Sequence, residues 1–130
     1  MMCRSASFAL VVALSGLAAH ATAQPWEFEQ PVAVTDVQGE GIFHHLESAG
    51  RRNIAVAGDT VAISWEDNRY ETPAIFLAHK ARQSDAFSKA IRISGEGDAY
   101  EPSLSALGGN RFAIAWEEAG HVHLLSLIHI

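Results

Sequence analysis

The segment V-A-I-S-W-E-D at Val61–Asp67 returns as F-A-I-A-W-E-E at Phe112–Glu118. These near-copies constrain the fold more than any other feature of the chain. Within each, large residues fall at every second position: Val61, Ile63 and Trp65, then Phe112, Ile114 and Trp116. Ala62 and Ser64 occupy the intervening places in the first copy, Ala113 and Ala115 in the second. A period of two sends successive side chains to opposite faces of a strand. A large face opposed to a small one predicts a sheet covered on both sides, whose small face lets a neighbouring sheet come close.

Each copy is preceded by a short apolar run and a tight turn. Ile54-Ala55-Val56 leads through Ala57-Gly58-Asp59 into the first, and Leu104-Ser105-Ala106 leads through Gly108-Gly109-Asn110 into the second. Glycine and asparagine tolerate the left-handed backbone of hairpin turns, so both read as hairpins. Pro73–Ala78 and Ala90–Ser94 supply a third and a fourth strand. No segment shows helical periodicity, and the fold class is all-β. Trp65 and Trp116 lie 51 positions apart, Ile54 and Leu104 lie 50 apart, and the hairpin turn absorbs the difference. F-E-Q-P-V-A-V-T at Phe28–Thr35 is matched by F-S-K-A-I-R-I-S at Phe87–Ser94, and each is followed by G-E-G, at Gly39–Gly41 and Gly95–Gly97. Four short antiparallel strands recurring at about fifty residues are the pattern of a β-propeller blade.

The run from Ile54 to Arg69, then I-F-L-A at Ile75–Ala78 and F-S-K-A-I-R-I-S, resembles the blades of sialidase-like propellers with BNR (Asp-box) repeats. The resemblance covers Phe28 to about Leu124. WD40 repeats also end in a tryptophan–acid pair, but their period is shorter and their Gly-His pair is missing here. Between the third and fourth strands, A-R-Q-S-D-A-F keeps Ser84, Asp85 and Phe87 of the Asp-box and lacks its glycine. The resemblance implies a partial propeller, of about six blades when complete. Residues 24–124 would be its N-terminal part. Phe28–Thr35 would be an outer strand closing the ring and Val37–Arg51 the connection into blade one. Blade one would lie in Asn53–Ser94, with blade two opening at Pro102. Stacking generally needs three or more repeats to bury a continuous core, so such a chain is not expected to hold a stable monomer by itself.

Both ends of the chain read differently from its middle. Arg4 precedes the apolar run Ala6–Ala19, and small residues flank the end of His20-Ala21-Thr22-Ala23. This is the pattern of a secretory signal peptide over residues 1–23, cleaved after Ala23, with an apolar run too short to span a membrane. The protein is therefore expected to be secreted or periplasmic. At the other end, Leu125–Ile130 reads L-S-L-I-H-I, the in-frame translation of a transposase adapter used in library preparation. It is taken as read-through and not as native sequence. The single cysteine, Cys3, lies in the leader, so packing without disulfides must hold the exported chain.

Charge narrows the partners. Nine basic residues face fifteen acidic ones, a formal net charge of −6, and loss of Arg4 with the leader makes it more negative. Such a surface repels phosphate backbones, so nucleic acid is not expected. No basic tract suggests adhesion to anionic lipid, and no cofactor is implied.

Taken at its word, the resemblance implies an arginine set for a substrate carboxylate, a tyrosine–glutamate nucleophile pair and an acidic acid/base. Arg52, in G-R-R-N-I-A-V, and Arg69, in W-E-D-N-R, stand near the places of such arginines, each out of register, and the expected proline is missing. The tyrosine–glutamate pair would lie beyond Leu124. Glu66-Asp67 and Glu117-Glu118 recur at equivalent positions, which points to turn and edge hydrogen bonding, since an active site is needed once. Glu96, Asp98 and Glu101 gather three carboxylates in one loop and could take calcium, without the ligand spacing of a known calcium loop. His121 and His123 share a strand face and could take zinc, but no third ligand is visible; with His44-His45 they read as surface histidines. The function expected is an exported, non-catalytic module that binds a glycan or a protein. The alternative is a secreted exo-sialidase whose catalytic residues lie mostly beyond Leu124.

Overall fold

The computed structural model of the chain describes residues 29–46 and 52–127. Residues 1–28, 47–51 and 128–130 lie outside them, and with them the expected leader over residues 1–23. Among the described residues every regular element is a strand, in two antiparallel sheets.

The first sheet comprises β1 (His44–His45), β2 (Ile54–Ala57), β3 (Thr60–Asp67), β4 (Ala74–Ala81) and β5 (Ile91–Arg92). β3 is its spine. β2 pairs with the first half of β3, placing Ile54 opposite Ile63, and β1 pairs with its end, placing His44 opposite Asp67. β4 runs along the whole of β3, with Trp65 opposite Phe76, and β5 adds to β4. The four strands expected in Asn53–Ser94 are therefore present in order. The second sheet, β6 (Ala99–Gly108), β7 (Arg111–Glu118) and β8 (His121–Leu127), repeats the first three of them. Leu104 stands opposite Ile114, and Trp116 stands opposite His123. Trp65 and Trp116 thus hold the same place in the two spines.

The hairpin turns follow from residue choice. Gly58 has φ 58°, while Gly109 and Asn110 have φ 58° and 55°. These are conformations that glycine and asparagine adopt at low cost.

Large faces pack on small ones. Ala55, Ala57, Ala62, Ile75 and Leu77 of the first sheet share one buried cluster with Ala99, Leu104, Phe112, Ile114 and Trp116 of the second. The alanines let β6 approach. Two backbone bonds cross between the sheets, from Leu104 N to the Arg52 carbonyl at 2.6 Å and from Ala99 N to the Pro73 carbonyl at 2.9 Å. Cutting Leu104 or Ile114, both fully buried, to alanine removes about 3 kcal/mol of stability by leaving a cavity. A second cluster, Ile63, Trp65, Ala74, Phe76 and Ala78, fills the other face of the first sheet, where Val34, Phe87 and Ala90 cover it.

Two expectations need correction or extension. The closing strand proposed for Phe28–Thr35 does not form over residues 29–35, which are irregular. Pro31 removes a ladder donor from that run, and Val34 is used as a packing residue on the first sheet instead. Within the Val37–Arg51 connection, β1 is an added two-residue strand. At the other end, β8 runs on through Leu125, Ser126 and Leu127, which pair with Ile114, Ala113 and Phe112. The backbone of the adapter-like segment therefore continues the ladder as far as Leu127. No helix among the described residues is long and apolar enough to cross a membrane.

Candidate functional site

The repeated acids converge with the tryptophans. Two residues along a strand return a side chain to the same face, so an indole can reach the carboxylate of the second acid after it. Trp65 Nε1 donates to Asp67 Oδ2 at 2.8 Å, and Trp116 Nε1 donates to Glu118 Oε2 at 3.0 Å. The two clasps are equivalent in the two sheets. Their remaining partners differ.

Asp67 is fully buried and sits in a four-sided hold. Arg69 Nε donates to Oδ1 at 2.9 Å, Arg69 Nη2 donates to Oδ2 at 2.5 Å, and the Arg69 backbone N–H donates to Oδ1 at 3.1 Å. His44 Nδ1 lies 3.2 Å from Oδ2, and His44 Nε2 lies 3.2 Å from the Val37 carbonyl. Burial alone would push the Asp67 carboxyl up. The Arg69 and Trp65 hydrogen bonds, with the positive charge of Arg69, outweigh it and hold the carboxyl below its ordinary range. The guanidinium of Arg69 lies 3.9 Å over the Phe76 ring, its side chain is 10% exposed, and Nη2 reaches Thr35 Oγ1 at 3.3 Å. Arg69 is engaged inside the molecule, where it ties residues 29–46 to the end of β3.

Glu118 has no arginine. Its oxygens accept from the backbone N–H groups of Gly95 and Gly97, at 3.1 and 3.2 Å. The G-E-G between the two sheets is thus the cradle of the acid in the second. The Trp116 N–H is the chief reason the Glu118 carboxyl lies below its usual range; burial opposes this, and the two glycine N–H groups and His123 reinforce it. A Cβ on Gly95 would lie 2.6 Å from Glu118 Oε1, so the cradle needs glycine there. The earlier G-E-G is held at the same end of the first sheet by a different residue. Asn68 Nδ2 donates to the Gly41 carbonyl at 3.0 Å, and Asn68 Oδ1 accepts from Phe43 N at 3.0 Å.

Of the first acids, Glu66 faces the sheet interface and Glu117 is exposed. Glu66 Oε2 accepts from the Glu101 backbone N–H at 3.3 Å, where β6 is irregular and Glu101 has φ 63°. His45 Nδ1 is 3.8 Å from Glu66 Oε1.

The other candidates are dispersed. Arg52 is exposed and lines a groove of about 330 Å³ with Ile54, Val56, Leu104 and Ala106, between β2 and β6. Arg69 lines a different depression, with Tyr70, Lys89 and Arg92. Glu96 and Asp98 are exposed; Asp98 accepts from Tyr100 Oη at 3.4 Å, and its carbonyl accepts from Ala119 N at 3.3 Å. Glu101 points its backbone N–H to Glu66. His123 stacks on Trp116 with ring centroids 5.4 Å apart. Among the described residues no group of three or more His, Cys, Asp or Glu side chains is placed to hold a metal ion. Ser84 of the box-like turn caps its own loop, donating to the Ala86 carbonyl at 3.0 Å, while Phe87 packs on the first sheet.

Compared with protein-family models, curated proteins and solved structures, the chain matches none. The geometry above must therefore speak for itself. Reading the sequence for turn and edge bonding found the acids but missed the indole clasp and the glycine cradle. The signal for the clasp was present: tryptophan and acid two apart on one strand, in both copies.

Proposed function

We propose that the chain is the N-terminal part of an exported, sialidase-like β-propeller that binds a glycan or a protein without catalysing a reaction. The observation that carries this reading is where the repeated polar residues go. Asp67, Arg69 and Glu118 are each tied to tryptophan, backbone or one another, and none of them faces a shared cavity. Charged groups held this way order strand ends and loops. The loops they order, with the groove between β2 and β6, are the surface offered to a ligand. The leader pattern at Met1–Ala23 supports export to a secreted or periplasmic location.

A second reading, exo-sialidase, is favoured by one observation: Arg52 is exposed beside that groove and free to meet a carboxylate. The two separate in one experiment. The complete open reading frame is expressed without its leader, assayed on a fluorogenic sialoside and applied to a glycan array. Binding with no release of sialic acid is the expected result. Release of sialic acid that Arg52→Ala lowers at least tenfold would establish the second reading.

A further inference from the structure

We infer, on the reading of the chain as a binding module, that the groove between β2 and β6 is a slot for the carboxy-terminal end of a protein. The peptide lies extended along the free edge of β2. Ser64 N donates to the Asn53 carbonyl at 2.8 Å, and the register continues with Ile54 opposite Ile63. Bonded and non-bonded pairs alternate along an antiparallel ladder. Ala55 is therefore bonded to β3, while Ile54 and Val56 turn their N–H and C=O groups away from it. The same alternation holds on β6. Leu104 N donates out of its own sheet to the Arg52 carbonyl at 2.6 Å, so Leu104 and Ala106, opposite Ile114 and Phe112, aim their backbone groups away from β7. Two unpaired strand edges thus run beside the groove of about 330 Å³ that Arg52, Ile54, Val56, Leu104 and Ala106 line. The edges are held together at both ends, by the Arg52–Leu104 bond and by the hairpin tips, where Gly58 meets Asn110.

The lining selects among ligands. An open strand edge is usually guarded by a charged side chain or a proline. The I-A-V-A of β2 carries neither, and its Ile54 and Val56 side chains are 59% and 49% exposed. Backbone donors and acceptors recurring at every second residue, beside apolar side chains, match an added strand. They match a sugar poorly: no aromatic ring lines the groove, and Ser105 supplies its one side-chain hydroxyl. Arg52 sets the direction of the peptide. It is exposed at the entrance to β2, and no carboxylate pairs with it among the described residues. A strand antiparallel to β2, the stronger pairing, brings its C-terminus to that entrance. There the terminal carboxylate meets the guanidinium in a charge-assisted pair.

The test takes the complete open reading frame without its leader and a fluorescein-labelled peptide of alternating threonine and valine with a free C-terminal carboxylate. Fluorescence polarisation should show saturable binding. Amidating the peptide's C-terminus should weaken it about tenfold or more, as should Arg52→Glu in the protein. Arg52→Glu should leave the affinity for the amidated peptide unchanged, which separates loss of the ion pair from loss of the fold. N-methylation at alternate residues in one register should abolish binding, because it blocks the main-chain donors that face β2, and in the other register should spare it. Absence of saturable binding overturns the inference. So does equal affinity of the two N-methylated peptides, since a paired strand must tell the registers apart. Glycan-array binding without peptide binding overturns it as well and leaves the binding-module reading intact. That reading fails by a separate signal, the release of sialic acid.

Discussion

Asp67 and Glu118 are carboxylates that the fold keeps charged, so they couple stability to pH. Both lie below the ordinary carboxylate value in the folded chain. The unfolded chain therefore binds protons first as acid is added. The stability these groups contribute is complete above about pH 4, the ordinary carboxylate value, and is lost as pH falls through their folded values. Urea midpoints between pH 7 and pH 3, in trimethylamine N-oxide to favour the compact state, should fall less steeply in Asp67→Asn and Glu118→Gln. At pH 7 Asp67→Asn should cost about 2 kcal/mol, since it leaves a buried guanidinium without its charged partner. Glu118→Gln, which keeps one acceptor, should cost about 1 kcal/mol. Ser64 behaves in the opposite sense. Its hydroxyl is buried at the sheet interface with no hydrogen-bond partner, and alanine holds the same place in β7. Ser64→Ala should stabilise the chain by about 1 kcal/mol, read as a higher urea midpoint.

At the scale of elements, the turns carry the testable strain. The two equivalent hairpin tips touch, because a Cβ on Gly58 would run into Asn110 Oδ1. Gly58 also has φ 58°. Gly58→Ala should therefore lose about 2 kcal/mol, from a left-handed backbone and from separated tips. Ala119 is the reverse case. It closes the β7–β8 hairpin at φ 52°, so Ala119→Gly should gain about 1 kcal/mol in the same urea assay. The strands themselves were largely legible in the sequence, since β2, β3, β4, β6 and β7 each follow an alternating run bounded by turn residues. β1 was not, because two histidines carry no periodicity and pair only where β3 runs on past β2. Residues 29–35 read as a strand by likeness to 87–94, yet Pro31 and the demand for cover over Trp65 and Phe76 decided otherwise. Of the candidate site, the acids were legible by their recurrence. Their partners were not, because the Gly95 and Gly97 N–H groups reach Glu118 only through the contact between sheets.

The whole molecule is a short one-way stack. The second sheet lays its large face on the small face of the first, while Val34, Phe87 and Ala90 cover the first sheet's large face. One detail of that stack sets an order in time. Glu118 sits in the second sheet but holds the loop that leaves the first, and it lies 21 residues beyond Gly97. As the chain is made from its N-terminus, the exit from the first sheet is held at first only by Arg92 on the Gly95 carbonyl and by the Ala99 N–H on Pro73, and its carboxylate cradle comes with Glu118. The carboxylate cradle at the first sheet's exit thus waits on the second sheet. A ribosome stalled between Gly97 and Glu118 would present a first sheet whose exit loop still lacks its carboxylate clasp.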